Sequence, residues 1–199
     1  MTTRTGRGSN DTRTMILDVA ERLVQHRGFN GFSYADVAEE LSITKPALHY
    51  HFAGKAELGE ALISRYAERF ALALAGIDAE VVDARSKLEA YSNLYLDVLR
   101  QKRMCLCGML AAEYQTLPKP MTKTVIQFFD DNEVWLARVL EDGRAQGNLQ
   151  FAGSTTETAR MIVSTLEGAM LVARPYGDIS RFQAAATQLM ADLTNRTPR

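Results

Sequence analysis

Apolar residues recur along most of the chain at the three-and-four spacing of a helix, and no stretch keeps the alternation of a strand. Ile16, Val19, Ala20, Leu23 and Val24 form one such stripe, which Gly28 ends. Ser33 followed by Asp36 has the form of a capping box, opening a short second helix through Glu40 with Val37, Ala38 and Leu41 facing inward. Leu41, Ser42 and Ile43 then make a tight turn. Thr44 caps a third short helix, and Pro46 fits its first turn, where backbone N–H groups have no intrahelical partner. That helix ends near Phe52, and Ala53 and Gly54 break the chain. A longer helix follows from Lys55 to about Ala75, carrying Leu58, Leu62 and Tyr66 at period four.

Beyond Gly76 the stripes lengthen. Tyr91, Leu94, Tyr95 and Val98 mark one helix, Cys107 to Leu117 a second, and Phe128, Trp135 and Val139 a third. Pro118 and Pro120 separate the last two, and Gly147 with Asn148 stops the third. Ser154 with Glu157 and Ser180 with Gln183 read as two further capping boxes. They open helices with the stripes Ile162, Leu166, Ala169, Ala173 and Phe182, Ala185, Leu189, Leu193, and Pro175 and Gly177 part them. The fold class is all-α, with about nine helices, the first three forming a small N-terminal head.

Composition narrows the possibilities. With 46% apolar residues in a chain of 199, a real core can form, and 24% charged residues keep the surface wet. No apolar run approaches the roughly 20 residues that cross a bilayer. The polar N-terminus has no signal-peptide stretch and two cysteines make no disulfide framework, so a cytoplasmic protein is expected. The net charge is −1. A near-neutral chain does not point to nucleic acid by bulk electrostatics, and any DNA binding must rest on a local constellation. Arg4, Arg7 and Arg13 face only Asp11 at the extreme N-terminus, which reads as a flexible basic arm over residues 1–11 or as an ordinary solvated terminus. No metal or other cofactor is implied: His49 and His51, two apart on a helix, point to opposite sides.

The segment SYADVAEELSITKPALHYHFAGKAEL, residues 33–58, carries the strongest signal. A short helix, a three-residue turn and a second short helix match the helix-turn-helix, whose second helix enters the DNA major groove by its N-terminal residues. The run Leu48-His49-Tyr50-His51-Phe52, followed by Lys55 and Leu58, resembles the signature of TetR-type transcriptional repressors, specifically over residues 12–62 and in layout beyond. Lys45 is the first choice for reading a guanine edge, with Pro46 and Ala47 as small surfaces that let the helix sit close. The resemblance implies further groove contacts from Tyr50 and His51, which on their spacing alone serve equally well as structural residues. Tyr34, Thr44, His49 and Lys55 look like phosphate contacts, Lys55 adding to the helix-four N-terminus. Two positions depart from the family pattern: Ser42 stands where the turn commonly has glycine, and His49 where tyrosine is usual.

The resemblance implies a head over residues 12–56 and an effector-binding and dimerisation domain over 57–199. It also implies a homodimer through the last two helices on a palindromic double-stranded DNA operator, with a small molecule or electrophile as effector. Tyr91, Tyr95, Met109, Tyr114, Phe128 and Trp135 supply aromatic and polarisable surface for an effector pocket, or plain core. Cys105 lies just before an inferred helix and after Lys102 and Arg103, a setting that favours a thiolate. Its segment resembles the electrophile-sensing subgroup of the family. Cys107 accompanies it, and two buried structural cysteines are the alternative. No catalytic constellation is assembled, so the chain is read as a regulator and not an enzyme. A cytoplasmic helical enzyme, or an interaction adaptor without DNA binding, is the competing reading.

Overall fold

A computed structural model describes the backbone of residues 5–194 and the side chains of residues 11–194. Among these residues there are nine α-helices, two single 3-10 turns and no strand. The helices are α1 (Thr5–Arg27), α2 (Tyr34–Glu40), α3 (Lys45–His51), α4 (Lys55–Glu80), α5 (Ala84–Arg100), α6 (Leu106–Ala112), α7 (Lys119–Ala145), α8 (Thr155–Ala173) and α9 (Ile179–Thr194). Two of the expected capping boxes are formed, Ser33 with Asp36 and Ser154 with Glu157.

Several boundaries differ from the sequence reading, each for a local reason. Residues 5–11, expected in a flexible arm, belong to α1; Arg4 and the rest of that arm lie outside the described residues. Helix α4 runs past Gly76 to Glu80, since a glycine facing open space weakens a helix without ending it. The expected helix from Cys107 to Leu117 is two pieces, α6 and a 3-10 turn at Tyr114–Thr116, with Glu113 between them turned to another task. Pro120 falls inside the first turn of α7, where its missing N–H costs nothing. At α9, Asp178 accepts the Ser180 backbone N–H at 2.9 Å, so the cap is Asp178 in place of the expected Ser180–Gln183 box. On α5, Leu94 and Val98 are half-buried; the core face is Leu88, Tyr91, Ser92, Tyr95, Leu96 and Leu99.

The chain divides into two compact units. One holds the residues through Ala67 together with Leu106–Val125, so it is larger than the head expected over residues 12–56. Ile16, Ala20, Val24, Val37, Leu48, Phe52, Leu58 and Ile63 are fully buried in it. Arg65 on α4 ties back to α1 through Asp18 at 2.7 Å and Glu21 at 2.8 Å. The added segment is held by Glu113, whose carboxylate accepts the backbone N–H of Phe29 at 2.5 Å and that of Asn30 at 3.3 Å. Asn30 in turn donates to the Thr116 hydroxyl at 2.7 Å. Gly28 ends α1 at φ +81°, and a Cβ there would lie 2.6 Å from Glu113 Oε1.

The second unit holds Glu68–Cys105 and the residues from Ile126 onward. Within it α8 packs along α9, and both pack on α5. Asp78 gathers Lys87 Nζ at 2.8 Å, the indole N–H of Trp135 at 3.0 Å and the Arg138 guanidinium. Burial acts against the charge on Asp78, but these donors outweigh it and hold the carboxyl below its usual range.

Candidate nucleic-acid interface and regulatory cluster

Helix α2 ends in a Schellman motif: the Ser42 N–H bonds Glu39 O at 3.1 Å and the Ile43 N–H bonds Ala38 O at 2.9 Å. That geometry puts Ser42 at φ +53°, the left-handed region that glycine occupies without cost. Two residues on, Thr44 Oγ1 accepts the Ala47 N–H at 3.3 Å and starts α3. Lys102 at φ +58° makes the same motif at the end of α5, with its N–H on Leu99 O at 2.8 Å and that of Arg103 on Val98 O at 3.1 Å. Non-glycine residues at this position cost on the order of 1 kcal/mol. Ser42→Gly and Lys102→Gly are therefore each expected to raise unfolding free energy by about 1 kcal/mol, measured by urea denaturation; an unchanged midpoint in both would show the turns to be unstrained.

Helix α3 has a buried side and an exposed side. Leu48 and Phe52 are fully buried against Val37 and Ala38, while Leu41, expected inside, is half-buried as the α2 C-cap. Outward stand Thr44, Lys45, Pro46 and His49, with Tyr50 81% exposed. Ala47 and His51 are half-buried, and the His51 ring meets Tyr50 edge-on at 5.2 Å. The seven-residue helix thus keeps a lysine at its start and an aromatic ring on its outward side.

All four expected phosphate contacts have protein partners, Thr44 through the Ala47 N–H. The Tyr34 hydroxyl donates to Phe52 O at 3.0 Å, and burial, aided by nearby Glu57, pushes it up to about 12. His49 Nδ1 lies 3.1 Å from Ala53 O and its ring 4.9 Å from that of Tyr34, so as the Nδ1–H tautomer it leaves Nε2 pointing outward. Lys55 is turned inward: its ammonium donates to Phe32 O and lies 4.6 and 4.3 Å from the Phe29 and Phe32 rings. Burial draws its pKa down, against the opposing pull of Glu113 and Asp36. Arg13, counted in the sequence among the arginines of the basic N-terminus, lies over the Phe52 ring at 4.8 Å.

The eight residues expected at an effector site divide between the two units. Cys107, Met109 and Tyr114 belong with the head; Cys107 is fully buried, Met109 half-buried and Tyr114 exposed. Tyr91, Tyr95, Phe128, Trp135 and Cys105 lie in the second unit, all buried. Tyr91 stacks on Trp135 at 5.7 Å, and Phe70 meets Tyr91, Tyr95 and Phe128 edge-on at 6.0, 6.1 and 5.2 Å. The Tyr91 hydroxyl donates to Asn132 Oδ1 at 3.1 Å, so the 3.1 Å bond between the two tyrosines runs from Tyr95 to Tyr91. Asn132 Nδ2 donates to Phe128 O at 2.7 Å. Glu167 on α8 accepts a hydrogen bond from Cys105, while its Oε1 is buried without a hydrogen-bond partner. Asn132 and Glu167 escaped the sequence reading, although Glu167 is the one charge in the apolar run from Met161 to Ala173.

A short helix, a Schellman turn and a second helix with an exposed N-terminal face define a helix-turn-helix DNA-binding protein. Residues 16–62 match the family model of bacterial regulatory proteins of the tetR family, and residues 84–189 that of the tetracyclin repressor-like C-terminal domain. The chain belongs to the TetR family of transcriptional regulators. It is 31% identical to a TetR-family regulator of Agrobacterium tumefaciens, whose crystal structure superposes with a TM-score of 0.91 over 94% of this chain and 100% of that one. The transcriptional regulator TtgR of Pseudomonas putida is 34% identical over 103 residues, spanning 49% of each chain. The nucleoid occlusion factor SlmA of a Marinomonas species is 25% identical over 163 residues, 80% of this chain and 81% of its own. Among the described residues, no helix is long and apolar enough to cross a membrane.

Proposed function

We propose that this chain is a repressor that binds a palindromic operator as a homodimer and is released by a small-molecule or electrophile effector. The observation that carries the DNA-binding part is the outward face of α3, with Lys45 at its first turn and Tyr50 81% exposed. Lys45, Pro46, Ala47, Tyr50 and His51 make up the reading face, and Thr44 and His49 lie beside it for phosphate oxygens. Tyr34 and Lys55 serve it indirectly, by fixing the end of α3 and the loop before α2 through Phe52 O and Phe32 O.

A dimer of helix pairs α8 and α9 is supported by the exposed apolar residues Met161, Leu171 and Val172, and by Gly168, where an added Cβ would meet nothing within 4 Å. Ala173, on the apolar stripe of α8, is buried inside its own unit. Footprinting on the DNA beside the protein's own gene tests the reading. Two protected half-sites about one helical turn apart, with affinity falling steeply as salt rises, are expected. Absence of binding to any duplex, even in dilute salt, would leave the adaptor reading in its place.

Cys105 is the sensing residue in this reading. It directly precedes α6, and the segment after α6 carries Glu113, which holds the loop between α1 and α2. Alkylation is expected to abolish operator binding, and Cys105→Ser to keep it through the same treatment. Loss of binding in that variant too would take Cys105 out of the mechanism.

A further inference from the structure

Glu167, half-buried beside Cys105, holds one carboxylate oxygen that no donor of the fold satisfies. A carboxylate oxygen shut away from water normally finds a donor, and Glu167 Oε1 has none. Donors stand close by: Tyr91 and Tyr95 both feel the field of Glu167. Their protons are committed elsewhere, Tyr95 to Tyr91 and Tyr91 to Asn132. The arrangement therefore leaves one oxygen of Glu167 on the Cys105 thiol and the other vacant.

We propose that Glu167 is the general base that activates Cys105 toward small, uncharged Michael acceptors, compounds with a carbon–carbon double bond conjugated to a carbonyl. This rests on the reading of Cys105 as the sensing residue. Glu167 takes the thiol proton, and the sulfur lone pair forms a C–S bond to the β-carbon. The π electrons of the alkene move to the carbonyl as an enolate. The proton held on Glu167 then passes to the α-carbon, leaving a thioether and a regenerated carboxylate. No oxidant or second reactant is consumed.

Two physical points support the pairing. The first is charge: moving the proton from sulfur to carboxylate shifts one buried negative charge between neighbours and creates no new one, the least costly way to make a thiolate in an apolar surrounding. The second is base strength. Burial pushes Glu167 up to about 7, opposed by its hydrogen bond from Cys105. An ordinary glutamate is too weak a base for an ordinary thiol by about four powers of ten, and a carboxyl near 7 closes most of that gap. The remaining titratable groups around the cluster are Tyr91 and Tyr95 on α5, both pushed upward by burial and so neutral, and Glu133 on α7. Glu167 and Glu133 both place negative charge on this cluster, which disfavours an anionic electrophile relative to a neutral one.

The test follows adduct formation at Cys105 and Cys107 separately by peptide-mapping mass spectrometry, with methyl vinyl ketone as the neutral probe and acrylate as its anionic counterpart. In the wild-type protein, Cys105 is expected to react with methyl vinyl ketone at a rate that rises as Glu167 ionises around pH 7, and with acrylate at least about tenfold more slowly than the ratio of the two probes' rates with free cysteine accounts for. Glu167→Gln is expected to slow the neutral reaction at pH 7 by about 10²-fold and to move the rise up to the ordinary thiol range, with Glu167→Asp restoring part of the rate. Equal rates and equal pH profiles for wild type and Glu167→Gln would overturn the role of Glu167 while leaving Cys105 as the sensor. An acrylate rate at or above what the free-cysteine ratio predicts would overturn the ligand class. A Cys105 that no probe modifies in the folded wild-type protein would remove the sensing reading itself. Should Glu167→Gln not fold, the wild-type pH profile and Glu167→Asp decide the same question.

Discussion

Lys45→Ala is expected to weaken operator binding by about 2–6 kcal/mol per dimer, roughly 30-fold to more than a thousandfold, with no loss of stability. One side chain reading a base edge contributes about 1–3 kcal/mol, and a palindromic operator presents each contact twice. Lys45 is exposed at the start of α3, so its truncation leaves the buried Leu48–Phe52 side intact. Fluorescence anisotropy titration at fixed salt, with thermal melting alongside, measures both quantities. Affinity falling alike on all sequences, with the salt slope reduced by about two, would reassign Lys45 to phosphate. Unchanged affinity would remove α3 as the reading element.

The second large effect concerns stability. Gly28→Ala is expected to lower unfolding free energy by about 2–4 kcal/mol, because two costs fall on one position. An alanine at φ +81° costs about 1 kcal/mol or more, and its Cβ would stand 2.6 Å from Glu113 Oε1. Glu113 cannot withdraw freely, since moving it strands the Phe29 and Asn30 N–H groups. A double-mutant cycle with Glu113→Ala separates the terms: with the carboxylate gone, the alanine should cost only its backbone strain, so the two substitutions combine for less than their sum. Strict additivity in urea denaturation would show that Gly28 and Glu113 do not constrain each other.

How far the sequence disclosed the site depends on how local each interaction is. The capping boxes at Ser33 and Ser154, the Thr44 cap and the buried row of Val37, Leu48 and Phe52 are set by neighbours within a few residues, and all were legible. The departure at Ser42 was legible only through the family resemblance, which has glycine in the turn; that the position is left-handed came from the structure. Lys55 misled because its contacts are not local. Its position at a helix start invited a phosphate, yet its partners, Phe32 O and two aromatic rings, stand more than twenty residues back in the chain.

Glu113 is the extreme case. Its partners at Phe29 and Asn30 are more than eighty residues away, and nothing in the spacing around Glu113 distinguishes it from a solvated helix-end acid. Likewise the aromatic residues of the second unit were visible as a set, but not their orientation. That Tyr91 donates to Asn132, and so leaves Glu167 Oε1 without a donor, depends on which face each of three helices presents. The sequence by itself determined the all-α class, most helix boundaries, the helix-turn-helix and its outward residues, because helical periodicity and capping act over one or two turns. Only the tertiary structure decided which polar groups meet inside: the Glu113 clasp on the α1–α2 loop and the pairing of Cys105 with Glu167. Such partners are chosen by packing and by the need to satisfy buried donors and acceptors, and neither leaves a mark at fixed spacing along the chain.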